Sequence, residues 1–184
     1  AYPVLPKGLK ILTLRSPQLH KYLKNLNGWS NNYTSQAIFQ GLGGVENFKQ
    51  FAKNTYGLDE SDLILYTGSG LPDRTQGRKD NLASCRAVGT VIEHLKEELE
   101  RQGKRIEDVL AVPGSDVGTL RKRLNGGGMH NASVGKTGTL DYVSTLAGAL
   151  NTRSGYSFYG IFNTTYSQKS YIAKGTQNQM VGVL

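Results

Sequence analysis

Between Ala132 and Thr164 the chain carries three β-rich runs joined by very short connections, and no other stretch limits the fold as strongly. The runs are Ala132 to Leu140, Val143 to Leu150 and Tyr156 to Thr164, separated by a turn at Leu140-Asp141-Tyr142 and by Asn151-Thr152-Arg153-Ser154-Gly155. Connections this short leave no room for a crossover, so the strands are expected to form an antiparallel meander. The helical patterns come first in the chain. Helices followed by a meander define an α+β class, with an antiparallel sheet flanked by helices.

The earlier chain gives the helices. Ser16-Pro17 offers a cap and a proline at the first helical position, with Leu19, Tyr22, Leu23 and Leu26 at helical spacing and an end near Asn27-Gly28. A second helical run leads from Trp29 and Tyr33 through Ala37, Ile38 and Leu42 to a stop at Gly43-Gly44, and a third from Val45 to about Tyr56. Asn81 is expected to cap the longest helix, Leu82 to about Gln102, whose Ala83, Ala87, Val91, Leu95 and Leu99 recur every four residues. Short strands are expected at Lys10–Leu14 and Leu63–Tyr66, an irregular loop from Gly68 to Arg74, and a closing helix in the tail interrupted at Gly175.

With 184 residues the chain is of single-domain size. It contains no apolar run of membrane-spanning length. One cysteine, Cys85, excludes an internal disulfide and reads as a small buried packing residue. The net charge of +8 is unevenly spread: residues 1–56 hold seven Lys/Arg against one acid, 57–116 eight against twelve, and 117–184 seven against one. No RNP-like aromatic pattern, zinc-finger spacing or basic heptad accompanies the basic flanks, so no nucleic-acid partner is expected. Basic flanks suit a cleft that draws in an anionic ligand, such as a carboxylate-bearing polymer.

Chemistry concentrates in Lys136-Thr137-Gly138, on the first strand of the meander. A phosphate-binding loop would need a glycine where His130 stands and a helix where the meander continues. Two readings remain: a surface strand with a solvated lysine, or the Lys-Thr-Gly element of penicillin-interacting serine enzymes, which requires Ser-x-x-Lys and Ser-x-Asn companions. Ser30-Asn31-Asn32 has the second form, although a serine before a helix is also a common cap. The only Ser-x-x-Lys is Ser133 to Lys136. Residues i and i+3 of a strand point to opposite faces, so this pair reads as accidental.

Taken in order, Ser16-Pro17-Gln18-Leu19 with Ser30-Asn31-Asn32, Gly43-Gly44, Gly68-Ser69-Gly70-Leu71 with Arg74, and Lys136-Thr137-Gly138-Thr139-Leu140 with Leu146-Ala147-Gly148 resemble one family. The chain is similar, from about Leu9 to Asn163, to the C-terminal part of the D-alanyl-D-alanine carboxypeptidase/endopeptidase family (peptidase family S13), low-molecular-mass penicillin-binding proteins. Two departures are Thr67, where the family usually has Asp before Gly-Ser-Gly, and Val117, inserted in what is commonly Gly-x-Asp-Gly-Thr-Leu.

The resemblance implies a penicillin-binding protein/serine β-lactamase-like transpeptidase fold, incomplete in these residues, with residues 1–184 as the C-terminal portion of one penicillin-binding domain. It implies a serine DD-peptidase of the cell envelope that acts on peptidoglycan stem peptides, is acylated by β-lactams and needs no metal or organic cofactor. Ser30 would relay a proton toward the leaving amine, Asn32 would hydrogen-bond the substrate peptide or hold the catalytic lysine, and Lys136 would supply positive potential beside Ser30. Thr137 and Thr139 would bind the D-alanine carboxylate, the N–H of Thr139 would be one oxyanion donor, and Gly138 completes the motif. The nucleophile is then expected on a Ser-x-x-Lys segment or chain outside these residues. A non-catalytic peptidoglycan-binding homologue and a β-lactamase-like relative are the alternatives.

Overall fold

A computed structural model describes residues 14–126, 129, 131–164 and 170–184. Of the strand expected at 10–14 only Leu14 falls among them, irregular and exposed.

The meander forms as expected, with β3 (Ser133–Leu140), β4 (Val143–Thr152) and β5 (Gly155–Thr164) antiparallel and in sequence order. Its register pairs Lys136 with Ala147 and Thr137 with Leu146. Side chains alternate across a strand, so Leu146 and Leu150 face one side of β4 while Ala147 and Ala149 face the other. Both sides are covered. Leu146 and Leu150 join Tyr159, Ile161 and, from α5 (Ser170–Gly182), Val181. Val134 and Ala149 join Ile92 and Leu99 of α4 (Cys85–Arg101), with Ala147 and Phe158 packed against them. The sheet is thus a layer between two helices, with no polar face to expose.

The remaining helices precede it: α1 (Leu19–Trp29), α2 (Asn32–Gly41) and α3 (Gly44–Phe51), the last continuing as a π-helical turn over Ala52–Tyr56. A two-residue ladder joins β1 (Leu63–Ile64) to β2 (Leu82–Ala83).

Three local expectations are corrected. Helix α4 starts three residues later than expected, because Ser84 rather than Asn81 accepts the N–H of Ala87, at 3.0 Å, and Leu82 and Ala83 are occupied in β2. Its buried side holds Ala87, Ile92 and Leu99, with the expected Val91 and Leu95 partly buried and packed against the same clusters. Cys85 is exposed, since the first position of α4 lies outside the packed stripe. Finally, α5 runs unbroken through Gly175, fastened by Ala173, Gln177 and Val181, which recur every four residues on its buried face. Arg123 donates to the Gln177 side chain at 2.9 Å, and Gln177 to the Ser144 carbonyl at 2.9 Å.

Candidate functional site

Helix α1 is held against the segment that follows α4. Lys24 Nζ donates to the carbonyls of Glu107 (2.8 Å) and Leu110 (2.7 Å) and pairs with Asp116, while Asn27 Nδ2 donates to Val109 O at 2.9 Å. The same segment is tied to the sheet, where Gly135 N–H donates to Ala111 O at 2.9 Å. The end of α1 is therefore fixed relative to β3.

Ser30 stands at that end. It adopts a left-handed conformation (φ 59°, ψ 55°), and the N–H of Asn31 returns to Leu26 O at 3.1 Å. For a residue with a Cβ this costs roughly 1–2 kcal/mol, a strain of the kind that collects at functional sites. Ser30 is not the cap of α2. Asn31 takes that task, accepting the N–H of Thr34 at 3.0 Å, so Ser30 occupies the corner between two helices and Asn32 opens the second.

Across the cleft Lys136 comes from β3. Its Nζ donates to Ser30 Oγ at 2.7 Å and to the carbonyl of Thr137 at 2.6 Å, joining residues 106 apart in sequence. Removal of water around the ammonium pushes its pKa from 10.5 down to about 8. Both protonation states are then available near neutral pH.

Ser30, Asn32, Lys136, Thr137, Gly138 and Thr139 all line one cleft of about 700 Å³, with Gly68 to Leu71 on its opposite wall and Leu23, Ile38, Phe39 and Phe48 as apolar lining. The wall is organised by two side chains that sequence reasoning did not assign to the site. Gln36 of α2 accepts the N–H groups of Gly68 (2.9 Å) and Ser69 (3.2 Å). Asn81 accepts those of Tyr66 and Thr67 and donates to Thr67 O at 2.8 Å. Thr67, one of the two departures, closes the loop by donating to Leu71 O at 2.7 Å. Asn81 was visible only as a cap, because an asparagine before an apolar run carries the same local signal in either role.

Ser133 stays apart from this cleft. It is 2% exposed, and its hydroxyl donates to Met129 O at 3.4 Å. A third residue that sequence reasoning did not assign to the site, Thr119, accepts a hydrogen bond from the Thr137 hydroxyl at 2.8 Å.

A model of the D-Ala-D-Ala carboxypeptidase 3 (S13) family matches residues 6–184. The chain belongs to this family. Among solved structures it is similar to the Bd0816 predatory endopeptidase from Bdellovibrio bacteriovorus in complex with immunity protein Bd3460, with TM-score 0.82, 28% identity, and coverage of 89% of this chain and 42% of that one. It is also similar to the penicillin G acylated Bd3459 predatory endopeptidase of the same organism (TM-score 0.78, 29% identity, 89% and 43% coverage). Penicillin binding protein 4 (dacB) from Haemophilus influenzae shares the fold at TM-score 0.65 and 20% identity, over 86% of this chain and 40% of that one. A comparison with curated proteins finds no match. The fold is therefore that of the penicillin-binding proteins, and the S13 chain described here spans about two-fifths of the length of these solved relatives.

Proposed function

We propose that the chain is the C-terminal portion of a serine DD-peptidase domain that cleaves D-alanyl bonds of peptidoglycan peptides in the extracytoplasmic envelope through an acyl-enzyme. The observation that carries this reading is the 2.7 Å contact between Lys136 Nζ and Ser30 Oγ, in a cleft shared with Thr137 and Thr139, in a chain of the S13 family. Penicillin G acylation of the similar Bd3459 endopeptidase supports it.

In this reading a serine from a Ser-x-x-Lys segment outside these residues attacks the D-alanyl carbonyl, and its proton passes to the lysine of that segment. The oxyanion is met by the N–H of Thr139 and that of the nucleophile. Collapse expels the leaving amine, which takes its proton from Ser30 Oγ as Ser30 regains one from the protonated lysine of that segment, and Lys136 stabilises the electron-rich oxygen at that moment. Asn32 binds the substrate amide, and Thr137 and Thr139 bind the carboxylate carried by the leaving group. Water then attacks the ester and regenerates the serine.

The test uses the complete protein. Lys136→Ala is expected to abolish labelling by a fluorescent penicillin, with the circular dichroism spectrum unchanged, and peptide mapping of the wild type is expected to place the label on a serine outside residues 1–184. Normal labelling of Lys136→Ala refutes the assignment of Lys136. Label on Ser30 or Ser133 refutes the division of the site.

A further inference from the structure

The loop from Gly114 to Leu120, where Val117 interrupts the Gly-x-Asp-Gly-Thr-Leu pattern, carries none of the residues assigned to the site, yet it touches both elements that do. Gly118 lies flat on the last turn of α1 at φ +120°, where a Cβ would stand 2.1 Å from the Gly28 carbonyl oxygen. The next residue, Thr119, donates its backbone N–H to that same oxygen at 3.0 Å. One of the carbonyls that a helix end leaves without a partner is thereby satisfied, two residues before Ser30. In the other direction the Thr119 hydroxyl accepts from Thr137 Oγ1 at 2.8 Å. The start of the loop is fixed as well, because Asp116 pairs with Lys24 and accepts the N–H of Val112 at 2.6 Å.

A hydroxyl has one proton and two lone pairs, so the direction of that proton decides what the oxygen offers a ligand. Thr137 is only 9% exposed, and its hydroxyl proton is directed to Thr119. A carboxylate only accepts hydrogen bonds. For Thr137 to donate to it, the shared bond must reverse: Thr119 O–H turns to donate to Thr137 Oγ1, and the Thr137 proton turns to the carboxylate. This takes a rotation of both hydroxyls, and each bond in such a chain polarises the next.

We propose that Thr119 is a positioning residue for carboxylate recognition, holding the Thr137 side chain and reversing their shared hydrogen bond so that Thr137 donates to the ligand. This rests on the carboxylate-binding role given to Thr137 above. Stopped-flow acylation of the complete protein by penicillin G and by its carboxyl methyl ester tests it, in wild type, Thr119→Val, Thr119→Ser and Thr137→Val, each checked by thermal unfolding.

Thr119→Val keeps the branched shape and the backbone N–H. It is expected to lower acylation efficiency by penicillin about tenfold, the loss of one well-formed hydrogen bond, through weaker initial binding and not through the acylation rate constant. Reaction with the ester is expected to stay within twofold of wild type, and Thr119→Ser to restore penicillin to within about threefold, as the hydroxyl returns. Should the valine variant unfold, Thr119→Ala is read in the same way. Equal losses on acid and ester, or none, in Thr119→Val overturn the proposal while a selective loss in Thr137→Val leaves the role of Thr137 standing. Absence of a selective loss in Thr137→Val removes that role and the proposal with it. A wild type that is not acylated at all refutes the peptidase reading itself.

Discussion

Lys136 is held at the border between charged and neutral. Its ammonium keeps hydrogen bonds to Ser30 and the Thr137 carbonyl, but burial lowers its pKa to about 8 from 10.5. Between those two pH values the unfolded chain binds the lysine proton and the folded chain does not, so stability from this group rises with pH in that window. Below about pH 8 both states are protonated, and the full cost of burying the charge is present. The shift corresponds to at most about 3 kcal/mol. Wild-type stability relative to Lys136→Met is therefore expected to improve as pH rises from 8 to 10, by urea unfolding at fixed ionic strength. A relative stability that is flat or falls over this interval contradicts the assignment of the shift to Lys136.

At the scale of elements, helix ends are where this chain positions its chemistry. Asn31 caps α2, which leaves Ser30 free to take the strained corner and present its hydroxyl to Lys136. Farther along, Ser84 caps α4 and releases Asn81 for the loop behind Gly68. Ser84→Ala is expected to destabilise the protein by about 1 kcal/mol, as loss of an N-cap does, measured by denaturant unfolding, with penicillin labelling unchanged. A change below a few tenths of a kcal/mol would show that α4 is capped by another group.

The whole molecule is organised by a three-stranded sheet with α4 on one face and α5 on the other. Leu146 is its centre, fully buried at 0% exposure and paired across the ladder with Thr137. Leu146→Ala is expected to cost about 2–5 kcal/mol, the transfer loss plus a cavity that the flanking strands cannot collapse around. Thermal or denaturant unfolding measures it, and a loss below 1 kcal/mol would mean that this layer is not the core. The functional cleft depends on the same layer, since Ser30, Ser69 and Lys136 belong to the corner after α1, a loop and β3, which meet only when the sheet and its helices have docked.

From the sequence alone came the meander, the α+β class, the helices and the motif residues, because each rests on short-range signals: alternation, turn residues, and spacing that resembles a known family. Tertiary structure alone decided which polar residues serve which neighbour. Asn81 carries the local signature of a cap and becomes a loop anchor because Ser84 lies nearer the first free N–H groups of α4. Cys85 and Gly175 break the expected pattern because a helix's buried face is set by what docks on it, not by its own residues. Thr119 lies in a loop whose pattern gave it no role in the site, and its place between Gly28 and Thr137 arises only where two elements remote in sequence are brought within hydrogen-bond reach. Such long-range contacts depend on packing geometry, which no local pattern encodes.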